Sequence, residues 1–231
     1  EMQRLPMGLA NSPNIFQEKM SKLFHRFKDV RAYINNILLI TKGDWEDHLE
    51  RLDKVLTKLE NAGLKVNAKK SFFGRPKLEY LGYWITREGV QPLPNKVEAI
   101  QQLKEPTNVK ELRSFIGMVN YYRDMWVRRA HVLAPLTRLT SKNVKFVWTD
   151  TARKAFNDMK RILSKETLLD YPDFNKPFEI HTDASNTQLG AVIAQEGRQI
   201  AFYSRKRLPA QKRYTTTEKE HLSIVKTLKE F

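Results

Sequence analysis

The sequence predicts an α+β protein in three successive pieces: a mixed α/β piece over 1–91, a helical piece over 92–147 and a second β-then-α piece over 148–231. Three observations predict it. Apolar residues at helical spacing alternate with short β-prone runs up to Pro92. Pro92 and Pro94 then mark a boundary, and helical periodicity alone follows them. Beyond Trp148 a helical pattern leads into three β-prone runs, and a last helical pattern is still running at Phe231.

Each element has its own signal. Ser12 as N-cap with Pro13 at the first helical position opens a helix, and Phe16, Met20, Leu23, Phe24 and Phe27 fall on one stripe. Tyr33-Ile34 and Ile37–Ile40 are β-prone runs around Asn35-Asn36, a pattern that predicts a tight hairpin because Asn tolerates positive φ. A second helix follows Asp44, with Leu49, Leu52, Leu56 and Leu59 inward and Gly63 as its stop. Leu64–Asn67 and Glu79–Thr86 read as further strands. Lys96–Leu103 and Asn108–Trp126 read as helices, the second opened by an Asn108-x-x-Glu111 cap, with Pro106 and Pro135 as punctuation. Thr151–Ser164 is an amphipathic helix with Phe156, Met159, Ile162 and Leu163 aligned. Phe178–Asp183, Leu189–Gln195 and Gln199–Ser204 read as strands, and Thr217–Phe231 begins a final helix. Repeats and low-complexity tracts are absent, and both ends read as cuts rather than natural termini.

Charge narrows the function. The chain carries 41 Lys+Arg against 26 Asp+Glu, a formal +15, which points to a polyanion: nucleic acid or an anionic membrane surface. Two windows hold most of the excess: Lys104–Lys145 has nine basic and three acidic residues, and Glu196–Lys219 has seven and two. Both contain aromatics (Phe115, Tyr121, Tyr122 and Trp126; Phe202, Tyr203 and Tyr214) that could stack on bases or simply fill a core. No apolar run approaches the ~20 residues of a membrane span, and no signal peptide is visible. The absence of Cys excludes disulfide frameworks, thiolate zinc sites and thiol nucleophiles. A soluble, intracellular protein facing nucleic acid is the expectation.

Few residues carry chemistry on their own terms. Asn35 and Asn36 occupy a hairpin tip of the kind that could hold metal-ligating carboxylates, but amides bind Mg²⁺ far more weakly and also suit a plain turn. Asp183 at a strand end and Glu220 on the last helix could converge on one Mg²⁺. Equally, Thr217-x-x-Glu220 could be a capping box and Asp183 an Asx-turn residue. His181 lies beside Asp183 as a further possible ligand. Gly-rich phosphate loops, acyl-transfer triads and zincin spacing are all missing.

A family resemblance supplies what spacing does not. Leu5–Gln17 (LPMGLANSPNIFQ) resembles the reverse-transcriptase segment that opens the nucleotide-binding helix of the palm. Tyr33-Ile34-Asn35-Asn36 resembles the polymerase Tyr-x-Asp-Asp hairpin, and Gly63–Ser71 and Leu78–Ile85 are similar to the next two palm motifs. Pro94–Arg123, with Phe115-Ile116-Gly117 and Tyr121-Tyr122-Arg123, resembles the thumb and connection of gypsy-type long-terminal-repeat retrotransposons. Phe178–Phe231 is similar to the fused ribonuclease H domain, with Thr182-Asp183-Ala184-Ser185 and Lys219-Glu220 at its motif positions. The three pieces then become the later part of a palm, a helical thumb/connection and the N-terminal half of a ribonuclease H-like domain.

The resemblance implies an RNA-directed DNA polymerase with ribonuclease H. Its partners would be an RNA template, a DNA primer, an RNA–DNA hybrid and dNTP, and its cofactor Mg²⁺. It also implies a polymerase site that does not work here. Both tip positions are Asn, and the upstream palm Asp precedes this stretch. Met7 and Gly8 would lie against the nucleotide, Lys70 near the triphosphate, and Leu81-Gly82-Tyr83 at the primer-gripping hairpin. Asp183 and Glu220 match the first two of four ribonuclease H carboxylates. A non-catalytic nucleic-acid-binding remnant or an interaction scaffold is the competing reading.

Overall fold

In the computed structural model the first helix, α1, spans Ser12–Phe24 and opens differently from the sequence reading. Asn11, not Ser12, stands at the N-cap position, and no side chain caps the helix. The Ser12 hydroxyl instead donates to the Pro6 carbonyl at 2.7 Å, which anchors the incoming chain. Residues 5–6, 8–165, 167–185 and 188–231 are described, and they fall into two compact units, 1–74 and 75–231.

In the first unit, β1 (Val30–Tyr33) and β2 (Asn36–Leu39) form an antiparallel hairpin, and α2 covers Trp45–Asn61. Asp44 caps α2 by accepting the Asp47 N–H at 2.9 Å. Met20 and Phe24 of α1, Val30 of β1, and Val55 and Leu59 of α2 are buried together, with Phe16, Leu23 and Phe27 packed around them. The predicted leucine row on α2 is therefore only partly inward. Leu59 is buried and Leu52 half-buried, whereas Leu49 and Leu56 are exposed and Val55 takes the inner position. Leu64–Asn67 forms no strand. Asn67 accepts the Lys69 N–H and its carbonyl takes the Lys70 N–H, so the chain curls into a 3₁₀ turn over Ala68–Lys70.

The second unit begins with β3 (Lys77–Tyr80), β4 (Tyr83–Thr86) and β5 (Val90–Pro92), an antiparallel sheet in that order. The single strand expected over Glu79–Thr86 is thus a hairpin. Leu81 (φ +46°) and Gly82 (φ +74°) form a two-residue turn with both residues left-handed, which reverses the chain. Helices α3 (Pro94–Gln101), α4 (Val109–Tyr121), α5 (Arg129–Leu139) and α6 (Asp150–Leu163) follow. Asn108 caps α4 as expected, but the helix ends at Tyr121 and a 3₁₀ turn carries Arg123–Met125. Pro135 sits inside α5, whose Leu133 and Leu136 are locked in the core.

Strands β6 (Glu179–Ala184), β7 (Gln188–Gln195) and β8 (Arg198–Lys206) make a second antiparallel sheet, and α7 spans Thr216–Glu230. Its two faces are covered by different elements. Phe202 points into the helical core of Leu112, Phe115, Trp126, Phe156 and Met159, where the Phe115 and Phe156 rings are 4.6 Å apart. Leu189, Ala191 and Tyr203 point the other way, toward Leu222 of α7. Double coverage explains why β7 reads as an almost unbroken apolar run. Segment 168–171 ties the two sheets: Leu169 exchanges backbone hydrogen bonds with Val90 (2.8 and 2.9 Å), and the Asp170 N–H donates to Gln199. Among the described residues no helix is long and apolar enough to cross a membrane.

Candidate active sites and nucleic-acid interface

The first candidate site is the tip of the β1–β2 hairpin. Tyr33 pairs with Asn36, so the turn is made by Ile34 and Asn35, and the residue with positive φ is Ile34 (+50°), not an Asn. A β-branched side chain in that region is strained. Gln17 of α1 holds it there. Its side-chain carbonyl accepts the Ile34 N–H at 2.5 Å, and its amide donates to the Ala32 carbonyl at 3.0 Å. Both Asn side chains are exposed and neutral. Two amides in place of charged oxygens do not fit a Mg²⁺ site.

The other residues predicted for this unit fall as follows. Met7 lies outside the described residues. Gly8 has φ +93° with open space where a Cβ would stand, so its conformation, not crowding, requires glycine. Lys70 ends the 3₁₀ turn, fully on the surface.

In the second unit, the Leu81–Gly82 turn is held by the end of α4. The Tyr121 hydroxyl donates to the Leu81 carbonyl at 2.7 Å, and that of Tyr122 to the Gly82 carbonyl at 2.8 Å. Tyr83 answers by donating its hydroxyl to the Tyr121 carbonyl at 3.1 Å. Burial pushes the phenols of Tyr83 and Tyr122 up to about 12.

The second candidate site lies between β6 and α7. Asp183 is exposed on β6, opposite Gly190 of β7. The Ser223 hydroxyl of α7 donates to the Gly190 carbonyl at 3.1 Å, and Glu220 lies one turn earlier on the same helix row. The predicted capping box over Thr217 and Glu220 is displaced: Thr215 and Glu218 form it, leaving Glu220 out of it. Glu218 is thereby held below the usual carboxylate range by the Thr215 N–H and hydroxyl. Asp183 is ion-paired to Arg128 at 3.1 Å, a residue with φ +50° at the start of α5. His181 shares the exposed face of β6 with Asp183 but turns to Glu179 at 3.4 Å. Among the described residues, no three His, Asp or Glu side chains converge as a metal site would need. Two carboxylates, one already engaged by a guanidinium, do not fit a Mg²⁺ site by themselves.

The basic windows divide into engaged and available charge. Arg207 is 2% exposed, Arg129 is half-buried against Ser204, and Arg123 pairs with Glu230. Lys104, Lys110, Arg138, Lys142, Lys145, Lys206, Lys212 and Arg213 stand on the surface. Of the seven aromatics, Phe115, Tyr122, Trp126, Phe202 and Tyr203 are core, and Tyr121 and Tyr214 are exposed. Sequence reasoning missed Gln17 and Arg128 as functional neighbours. Gln17 was visible only as the last residue of a motif, and Arg128 gave no signal.

Comparison with known proteins matches both ends of the chain. Residues 1–85 match the family described as reverse transcriptase (RNA-dependent DNA polymerase). Residues 148–231 match the RNase H-like domain found in reverse transcriptase. The chain is 40% identical over 99% of its length to the retrovirus-related Pol polyprotein from transposon opus of Drosophila melanogaster, covering 24% of that protein. It is 35% identical over 97% to the corresponding polyprotein from transposon gypsy, covering 23%. The Transposon Tf2-7 polyprotein of Schizosaccharomyces pombe is 34% identical over 97%, with 17% covered. The chain thus spans at most about a quarter of these relatives. Among solved structures, the foamy viral protease-reverse transcriptase in complex with RNA/DNA hybrid superposes with TM-score 0.84 at 26% identity, covering 98% of this chain and 31% of that one. The same enzyme in complex with dsDNA gives 0.81 at 27%, covering 97% and 48%.

Proposed function

Since the chain belongs to the reverse transcriptases of retrotransposon polyproteins, with their RNase H-like domain, we propose that it binds a template–primer or RNA–DNA hybrid through its second unit and has no polymerase activity. The observation that carries this is the β1–β2 tip: its backbone is held in a strained turn by Gln17 while its two side chains are uncharged. The scaffold that would aim two carboxylates is kept, and the charge is gone. Each Asp-to-Asn change leaves a near-isosteric amide, so folding and metal chemistry separate cleanly.

Binding draws on the surface lysines and arginines, which neutralise phosphates, and on shape recognition of the hybrid's minor groove by the helices of 92–147. The Leu81–Gly82 turn grips the primer strand. Gly8 and Lys70 keep a surface for a triphosphate without the ions that would activate it. At the second site Asp183 and Glu220 are two of the four carboxylates that ribonuclease H chemistry uses, too few to cut.

Primer extension with dNTP and Mg²⁺ tests the first half: no extension is expected, and templated extension by the purified chain would refute it. Anisotropy with a labelled hybrid tests the second. Log K is expected to fall against log[salt] by about 0.7–0.9 for each phosphate contact. A flat response removes the binding reading.

A further inference from the structure

We infer that Tyr121 and Tyr122 are positioning residues of the gripping hairpin: by occupying both carbonyls of the Leu81–Gly82 turn, they leave it presenting amide donors to a bound phosphodiester. The inference rests on the hybrid-binding reading above and adds residues from a different element, the end of α4.

A two-residue turn shows four backbone polar groups: two carbonyls and two N–H groups. Here both carbonyls accept a tyrosine hydroxyl, at 2.7 and 2.8 Å. For the N–H groups of Leu81 and Gly82 no acceptor occurs among the described residues. Carbonyl oxygens repel a phosphate and N–H groups attract it, so filling the two acceptors changes what the turn offers. Successive free N–H groups in a turn form an anion-binding concavity.

The clamp is built from both sides. Tyr83 returns a hydrogen bond to the Tyr121 carbonyl at 3.1 Å. The Tyr83 ring stacks on Tyr121 (6.0 Å) and meets Tyr122 edge-on (5.1 Å). Tyr122 is 2% exposed, so its hydroxyl is fixed. At Gly82 a Cβ would stand 2.9 Å from the Tyr121 ring and hydroxyl. Glycine therefore serves the turn twice: it supplies positive φ and lets the tyrosine approach.

The test uses the full chain and a fluorescein-labelled RNA–DNA hybrid, comparing wild type with Y121F, Y122F and Y121F/Y122F. Each single variant is expected to bind about threefold to tenfold more weakly, the effect of one hydrogen bond. ¹⁵N amide shifts of Leu81 and Gly82 give the readout that a purely structural role would not move. In wild type both shift on hybrid addition; in the double variant, with far-UV circular dichroism unchanged, they do not. Y121F, at a ring 55% exposed, keeps the test open should Y122F fail to fold. Wild type that binds, alongside folded variants with equal affinity and the same amide shifts, overturns the clamp alone. Wild type that does not bind overturns the hybrid-binding reading and the clamp with it.

Discussion

Arg207 separates the charge that can meet nucleic acid from the charge that cannot. It belongs to the second basic window, yet it is 2% exposed. Its Nη1 donates to the Gln211 carbonyl at 3.1 Å, while Nε and Nη2 are buried and meet no acceptor among the described residues. A buried donor left without a partner costs about 1–3 kcal/mol, more when charged. Exchanging buried ionic groups for apolar ones of similar volume is often stabilising by about 1–4 kcal/mol. Arg207→Leu gives up the Gln211 bond and two unmet donor groups and gains an apolar side chain in an enclosed site. The expected gain is about 1–3 kcal/mol, or roughly 5 °C in Tm at ~2–4 °C per kcal/mol for a chain of this size. Thermal melting followed by tryptophan fluorescence in a Trp45→Phe background reads Trp84, Trp126 and Trp148, all in the unit 75–231. The salt slope of hybrid binding should not change, because a buried guanidinium neutralises no phosphate. Lys212→Ala/Arg213→Ala should instead lower it by about 0.7–0.9 for each phosphate that is no longer neutralised. A lower Tm for Arg207→Leu, or a reduced salt slope, refutes the reasoning.

Other predictions address the elements that hold the sites. Gln17→Leu removes both hydrogen bonds to the β1–β2 turn, and hydrogen exchange of amides 30–39 should accelerate, at a cost of about 1–3 kcal/mol to the first unit. Ile34→Gly relieves the left-handed strain, and urea unfolding of that unit should shift toward higher stability by up to about 1 kcal/mol. Gly89→Ala would place a Cβ 2.2 Å from the Leu169 carbonyl, so the Val90–Leu169 bridge should open and Tm fall by several degrees. On the alkaline side, Tyr83 and Tyr122 keep their protons to about 12 when folded and lose them near 10 when unfolded. The unfolded chain therefore binds fewer protons between pH 10 and 12, and stability should fall across that window. Tyr122→Phe should flatten the fall.

Much of the fold was legible because its signals are local. The caps at Asp44 and Asn108 and the apolar stripes of α1 and α6 needed nothing beyond neighbouring residues. The errors arose where a distant contact decided. Ser12 would cap a helix in isolation, but Pro6 offers its hydroxyl an acceptor from outside the helix. Pro135 would break a helix in water, yet Leu133 and Leu136 lie in the shared core on either side of it. Leu81 gives no turn signal of its own; Gly82 beside it and the tyrosines of α4 make it one.

The carboxylate site shows why local spacing could not choose between readings. Thr215, Thr216 and Thr217 precede Glu218, Lys219 and Glu220, so two capping registers are available. What selects one is the far side of the helix. Ser223 and Thr227 are the small polar residues that fit against the sheet, Ser223 on the Gly190 carbonyl and Thr227 back-bonded to Ser223, and both are fully buried. That contact fixes the rotation of α7 and makes Thr215 the cap. Glu220 is then placed on the row that runs toward the strand carrying Asp183, and the capping explanation for it lapses. Among the described residues the same contact brings no third acid, and Arg128 meets Asp183 from the helical layer. An exposed pair of this kind is worth at most about 1 kcal/mol to stability, so Arg128→Ala should lower Tm by no more than ~4 °C. Its consequence is electrostatic: the guanidinium offsets the negative charge of Asp183. On the proposed reading, a face with two acids and a guanidinium on one of them is fitted to hold a hybrid and not to cut one.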